Sequence, residues 1–195
     1  MNNENRVIAR HCQNDPKVLR DTLHFITASI RESFYRVPTV LENIRRDGSQ
    51  STELWGFKRD SYEYVIANYP TLHGDALRAL NNNDMTAMMF VFLRVPGLGL
   101  AKAGFACQLF CGRVGCIDTH NVKLYNVSPN VLTLNKSAKE ITQRRRIEAY
   151  IDLCYRCGGS ELLWDAWCDL IAVRQATHWK DGEHVSKAHA DMCVR

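Results

Sequence analysis

The sequence has little of what marks an exported, membrane-spanning or disordered chain. No apolar run approaches the about 18 to 20 residues that a membrane-spanning helix needs. The first residues, MNNENRVIARHCQNDP, lack the apolar centre of a signal peptide. Of the 195 residues only 5 are proline and 11 are glycine, whereas 46% are apolar, which excludes a largely disordered chain. We therefore expect one soluble, cytosolic domain that spans residues 1–195.

Neither sign of charge dominates the composition, with 25 Lys and Arg against 21 Asp and Glu. The net charge of +4 is compatible with a nucleic-acid partner but does not require one. The 8 cysteines argue against a disulfide framework, because the chain has no export signal. Cys154 and Cys157 form half of a zinc site, which Cys168, His178 or Cys193 would complete. On one helix the same pair also packs well as small apolar residues, so we expect no bound metal.

The order of caps and apolar stripes predicts a series of helices and no strand. Asp15-Pro16, Asp84 and Ser160 are expected to begin helices, whereas Pro70 and Gly112 are expected to end them. The predicted helices near the centre and the C-terminal half span about residues 58–69, 73–81, 85–93, 100–111, 139–157 and 160–171. The polar tail from about residue 179 is expected to be poorly ordered. The predicted fold class is all-α.

A tight turn is predicted between helices 85–93 and 100–111. It has the sequence Pro96-Gly97-Leu98-Gly99, whose glycines permit positive φ and the close approach of a foreign backbone. Its amides, together with the start of the next helix, would form an anion site suited to a phosphate. The glycine spacing matches neither the G-x-G-x-x-G fingerprint nor a P-loop.

Residues 93–125 resemble the helix-hairpin-helix segment of the HhH-GPD DNA glycosylase superfamily, which includes endonuclease III. The sequence VPGLG at 95–99 matches the family's hairpin, and Ala103 matches the small residue packed on it. Ile117-Asp118-Thr119-His120 matches the element that carries the catalytic aspartate. The resemblance implies a helical glycosylase-like fold, a hairpin at about 85–111 that binds double-stranded DNA, and a base flipped into a pocket. No cofactor is implied, since the iron–sulfur cysteines of endonuclease III have no counterpart.

In this family the aspartate stabilises positive charge on the sugar or activates the attacking nucleophile, and the resemblance gives Asp118 that role. Asp118 precedes a predicted helix, whose dipole favours the ionised carboxylate, although a simple N-cap role is the alternative. His120 would orient a phosphate or transfer a proton, or make a structural hydrogen bond. Asn121 would line the same pocket and contact DNA. Gln108 would read a base edge or face another helix.

Lys102 departs from the family pattern. The lysine that forms a Schiff base in bifunctional members falls at Ala101 here, and Lys102 lies one residue further along. One residue rotates a helical side chain by about 100°, so Lys102 is expected to point elsewhere. Its candidate roles are those of a catalytic amine, a DNA-phosphate contact or a solvated side chain.

Other features have two interpretations each. Arg144-Arg145-Arg146 would contact the phosphate backbone or form a solvated helix face. Trp55, Tyr62 and Tyr64 would stack on a base or belong to the core.

A narrower resemblance distinguishes between reactions. The stretches Lys102–Gln108 and Gly115–Asn121 are similar to a phage-encoded branch of the superfamily that is assigned to thymidine hypermodification. This implies transfer of an amino acid such as glycine to phosphorylated 5-hydroxymethyluracil in DNA, in the host cytoplasm. The alternatives are a monofunctional DNA N-glycosylase and a non-catalytic helix-hairpin-helix DNA-binding module.

Overall fold

The computed structural model describes residues 3–166, and no strand occurs among them. The helices are α1 Asn3–Asn14, α2 Pro16–Ala28, α3 Val37–Asp47, α4 Phe57–Asn81, α5 Met85–Leu93, α6 Leu100–Cys111, α7 Thr119–Leu124, α8 Glu140–Arg156 and α9, residues 159–166. The all-α prediction is confirmed for this part of the chain. None of its helices combines the length and the apolar character needed to cross a membrane.

Three predicted helix boundaries are stabilised by local hydrogen bonds. Asp15 precedes α2 and its carboxylate accepts from Lys17 N at 2.8 Å. Asp84 precedes α5 and its carboxylate accepts from Ala87 N at 2.8 Å. Gly112 ends α6 in the left-handed conformation, with φ +69°. These caps place both ends of the α5–turn–α6 unit where the sequence predicts them.

Helix α6 lies in the middle of the packing. It contacts α1, α2 and α5, while α4 packs against α2 and α5. Nine of its side chains or glycines are buried, running from Leu100 to Phe110. Because α6 is held on several sides, its first turn, the preceding turn and Lys102 have a rigid support.

The predicted break at Pro70 is wrong. Helix α4 continues through Pro70 to Asn81, so predicted helices 58–69 and 73–81 are one helix. A proline inside a helix removes one backbone hydrogen bond, normally at a cost of about 3 kcal/mol. Pro70 and Ile66, four residues earlier, are both exposed, so water can solvate the carbonyl that loses its partner. Packing of the whole helix against α2 and α5 outweighs the local preference.

The prediction that Ser160 precedes the last helix is also wrong. Residue 159 is already helical, and the Ser160 hydroxyl donates to Gly112 O, at the end of α6. A long-range contact thus replaces the expected cap. The rest of the last predicted helix, the possible zinc ligands at 168, 178 and 193, and the tail from about 179 lie outside the described residues.

Candidate functional site

The turn between α5 and α6 presents two exposed glycines on a buried base. Val95 and Leu98 are buried, whereas Gly97 and Gly99 are exposed. Gly97 has φ +79°, as the sequence predicts for a tight turn. Gly99 has φ −96° and precedes α6 with no side-chain cap on the helix. The uncapped amides of the first turn of α6 remain the anion-binding feature.

The start of α4 supports the turn from outside. A Cβ built on Gly97 would lie 2.2 Å from the ring of Phe57, so only glycine fits beneath that ring. Trp55 packs edge-on against Phe57, with ring centroids 5.8 Å apart, and is 46% exposed. The exposed Trp55 therefore contacts Phe57, the residue that covers Gly97 of the turn. Tyr62 and Tyr64, by contrast, are partly buried against the core.

Tyr150 fixes the segment that leads to Asp118. Its hydroxyl donates to Gly115 O at 3.0 Å and accepts from Ile117 N at 2.9 Å. A Cβ on Gly104 of α6 would lie 2.5 Å from Gly115 O and 2.7 Å from the Tyr150 hydroxyl. The missing side chain at Gly104 therefore permits α6 and residues 115–117 to pack closely.

Asp118 lies between that segment and α7. Its Oδ1 accepts from Asn121 N at 3.0 Å, the hydrogen bond of an N-cap. This is the structural role considered for it, and it leaves the second carboxylate oxygen outside the cap bond. Asn121 is buried, and its side chain donates to Cys116 O at 2.8 Å, so it braces the loop. The His120 side chain lies outside the described part of the structure.

Gln108 connects two parts of the same region. Its Oε1 accepts from Cys116 N at 3.1 Å, and its Nε2 donates to Ser160 O at 2.6 Å. The side chain is 2% exposed. Both ends of the amide are therefore engaged, which favours the interpretation that Gln108 faces another helix.

These elements enclose a small cavity beside Asp118, with a volume of about 10 Å³. It is lined by the following residues of α6, α9 and the segment before α7: Lys102, Phe105, Gln108, Cys116, Asp118, Leu163 and Trp164. The cavity brings together three of the predicted site residues, namely Lys102, Gln108 and Asp118.

Lys102 lines the same cavity as Asp118, whereas its departure from the direction of the family's Schiff-base lysine stays a prediction. Both side chains line the cavity, and their opposite charges both influence the pKa of the Cys116 thiol. Lys102 Nζ also lies 3.5 Å from Ser29 Oγ and 5.4 Å from the centroid of the Phe105 ring. The long lysine side chain, starting in the first turn of α6, reaches the cavity despite the one-residue offset.

The cysteine thiols of this region are held in the protonated, weakly nucleophilic form. Burial raises the pKa of Cys116 and Cys154 to about 12, so both thiols are neutral near pH 7. Burial also raises the pKa of Cys107 and Cys157. Within residues 3–166 no group of three or more metal-binding side chains is assembled.

Two more open grooves lie away from Asp118. One, of about 610 Å³, runs beside Arg113, Glu148 and Asp152, where carboxylates would oppose an anionic ligand. The other, of about 410 Å³, lies between α8 and residues 133–138 and is lined by Arg145 and Arg146. Arg146 donates to Thr133 O, whereas Arg145 is exposed.

The groove lined by Arg145 and Arg146 is connected through α5 to the turn between α5 and α6. Lys136 Nζ donates to Leu93 O at 2.7 Å, at the residue where α5 ends. Arg144 lies over the ring of Phe90 in the same helix, 5.9 Å from its centroid. The arginine run is thus divided between contacts that hold the fold and one exposed guanidinium, that of Arg145.

Sequence reasoning missed Phe105, Cys116, Leu163 and Trp164 as lining residues. Phe105 could have been proposed from its helical spacing to Lys102, and Cys116 from its place directly before the matched element at 117–120. Leu163 and Trp164 have no such signal, because only the packing of α9 against residues 115–116 brings them near Asp118.

No family model, curated protein or solved structure matches the chain. Inferences about its function therefore depend on the resemblance of residues 93–125 and on the geometry of the site.

Proposed function

We propose that the chain is a DNA base-modifying enzyme with a helix-hairpin-helix glycosylase-like fold. It transfers an amino acid such as glycine to phosphorylated 5-hydroxymethyluracil that has been flipped out of double-stranded DNA. The observation that carries the proposal is that Lys102 and Asp118 line the same cavity. Opposite charges at one site suit a reaction in which a phosphate leaves and an amine attacks.

The exposed α5–α6 turn is the proposed contact to the DNA backbone. Gly97 and Gly99 allow a strand to approach, and the amides at the start of α6 can donate to a phosphate. Trp55, exposed beside the turn, can stack on a base. The exposed guanidinium of Arg145 extends the positive surface along α8.

The chemistry balances without a cofactor. The amino nitrogen attacks the C5 methylene carbon, a C–N bond forms, and the C–O bond to the phosphate breaks with its electron pair leaving on oxygen. Asp118 accepts the proton that the attacking nitrogen loses. The Lys102 ammonium offsets the negative charge on the departing phosphate. His120, two residues after Asp118 and within α7, is a further candidate for proton transfer.

A monofunctional DNA N-glycosylase is the second candidate. It is favoured by Ala101, because a monofunctional enzyme uses the aspartate but needs no Schiff-base lysine at that position. In that reaction the Asp118 carboxylate stabilises positive charge on the sugar as the glycosidic bond breaks.

The test is a product analysis on defined duplexes. The protein is incubated with DNA that contains uracil, an alkylated base or phosphorylated 5-hydroxymethyluracil, with and without glycine, and the nucleosides are weighed after digestion. A mass gain that depends on glycine supports transfer. Free base with an abasic site supports glycosylase action. DNA binding without either product contradicts both reactions and leaves the binding module.

Two lysine variants separate the proposed mechanism from a general charge effect. Lys102→Met removes the ammonium at the cavity, whereas Lys123→Met removes an exposed ammonium from α7. We expect turnover to fall at least about 100-fold in Lys102→Met, in keeping with the loss of one charge-stabilising donor, and to stay within twofold in Lys123→Met. Equal turnover in the two variants would remove Lys102 from the mechanism.

A further inference from the structure

The cavity beside Asp118 is too small for a nucleobase. A volume of about 10 Å³ has room for about one water molecule, whereas ligand sites commonly measure about 300 to 1,000 Å³. The inference made here rests on the proposed function, which needs a flipped base at this point. Part of the cavity wall must therefore move.

Most of the wall is firmly held. Phe105 belongs to α6, which packs against α1, α2 and α5. The backbone of Cys116 is hydrogen-bonded on both sides, through its N–H and its carbonyl. Besides the polar residues Lys102, Gln108 and Asp118, the rest of the wall consists of Leu163 and Trp164, both from α9. Trp164 lies over Phe105, with ring centroids 5.9 Å apart and an angle of 33° between the planes. A planar indole thus occupies the space beside Asp118.

A pair of glycines connects α9 to α8. Gly158 has φ +94° and Gly159 has φ +80°, conformations that other residues rarely adopt. No atom lies within 4 Å of a Cβ built on Gly159, so the backbone there is not confined by neighbours. Gly158 is packed more closely, since a Cβ there would lie 2.3 Å from Leu162 Cδ1 of α9. Two consecutive glycines at the end of a helix can absorb the dihedral change of a hinge.

Contacts of Ser160 and Leu163 help to hold α9 in place. Ser160 O accepts from Gln108 Nε2 at 2.6 Å, and the Ser160 hydroxyl donates to Gly112 O. Further along, Leu163 packs on Gly115, where a Cβ would lie 2.3 Å from Leu163 Cδ1. The absence of a side chain at Gly115 thus permits Leu163 of α9 to pack directly against the backbone of residue 115.

We propose that α9 is a lid. It turns about Gly158–Gly159, withdraws Trp164 from the space beside Asp118 and admits the flipped base. Ser160 is the latch of the closed state, and Gln108 links the latch to the cavity wall at Cys116. The lid excludes water from Asp118 and Lys102 until a base arrives, which strengthens their electrostatic interactions.

A reversible cross-link tests the lid. A Cβ at Gly115 would lie 3.3 Å from Leu163 Cβ, close to the about 3.5 to 4.5 Å between the Cβ atoms of a disulfide. The double variant Gly115→Cys/Leu163→Cys should therefore close α9 when oxidised and release it when reduced. Peptide mapping verifies the pairing, and the reduced form of the same protein is the matched control.

Hydrogen exchange gives a readout that does not depend on the reaction. In the reduced variant we expect amides of residues 113–118 and 159–166 to exchange faster than those of α2, and at least about tenfold more slowly after oxidation. Exchange in α2 should be the same in both forms. Identical exchange of residues 113–118 and 159–166 in the two forms would overturn the lid.

Turnover and binding give the second readout. The oxidised variant should bind undamaged duplex as the reduced one does, and lose product formation at least 100-fold. Equal turnover in the two forms would also overturn the lid. Absence of product from both forms and from the wild type would contradict the proposed function, and hydrogen exchange would still decide whether α9 opens.

Removal of the latch should act in the opposite direction. Ser160→Ala loses the bond to Gly112 O, so the open state gains population and the apparent Kd for a duplex with a flipped base falls about five- to tenfold. Ser33→Ala changes an exposed serine in the segment between α2 and α3 and should leave that Kd unchanged. A Kd that is equal or higher in Ser160→Ala contradicts the latch.

Discussion

The hydroxyl of Tyr150 should contribute strongly to stability, although Tyr150→Phe removes a single atom. Tyr150 is 1% exposed, and its hydroxyl holds two backbone groups, Gly115 O and Ile117 N. The Cys154 thiol also donates to Gly115 O, at 3.4 Å, so that carbonyl retains a partner. Ile117 is 0% exposed and its N–H donates to the tyrosine hydroxyl, so the variant leaves a buried donor unsatisfied.

An unsatisfied buried donor costs about 1 to 3 kcal/mol, and loss of the bond to Gly115 O adds up to about 1 kcal/mol. We therefore expect the free energy of unfolding to fall by about 2 to 3 kcal/mol. With an m value of about 2 kcal/mol/M, the urea midpoint falls by roughly 1 M. The assay is equilibrium urea unfolding followed by far-UV circular dichroism.

The matched control is Tyr155→Phe, which changes a tyrosine of the same helix that is 55% exposed. Its unfolding free energy should stay within about 0.5 kcal/mol of the wild type. If Tyr150→Phe also stays within that limit, the Tyr150 bridge does not hold residues 115–117, and the account of how Asp118 is positioned is wrong.

Two further predictions concern pH and salt. Burial lowers the pKa of His24 to about 4, below the about 6.5 of an unfolded chain, so the unfolded state takes up the proton first as pH falls. The unfolding free energy should therefore decrease by about 3 kcal/mol between about pH 6.5 and pH 4, and His24→Phe should flatten this part of the curve measured by urea unfolding; an unchanged curve would refute the assignment. Arg145→Gln should reduce the slope of log K against log salt for duplex binding by about 0.9, as expected for one phosphate contact, whereas Arg10→Gln, exposed on α1, should not. Equal slopes in fluorescence anisotropy would place Arg145 outside the interface.

The sequence predicts local features of this fold well, where one or two neighbouring residues decide them. Asp15, Asp84 and Gly112 lie at helix ends because a cap needs only a side-chain oxygen or a permissive backbone. The turn at 96–99 follows from its spacing in the same way. These features depend on interactions between residues that are close in the sequence.

The misses arise where packing overrides local preference. Pro70 continues a helix because neighbouring helices hold both sides of it. The spacing of residues alone does not predict that Lys102 lines the cavity, because a long side chain is not restricted to the direction of its Cα–Cβ bond. Trp164 lies beside Asp118 through the positive φ of Gly158 and Gly159, which the pattern of helices does not reveal.

The most direct test of the central claim is the turnover of Asp118→Asn on phosphorylated 5-hydroxymethyluracil DNA with glycine. Asparagine is an equally good N-cap, so it keeps the bond to Asn121 N and with it the local fold, while it removes the carboxylate that accepts a proton. The account predicts unchanged duplex binding and unfolding midpoint, with product formation reduced at least about 100-fold. Product formation at the wild-type rate would contradict the claim that Asp118 is the catalytic group of this site.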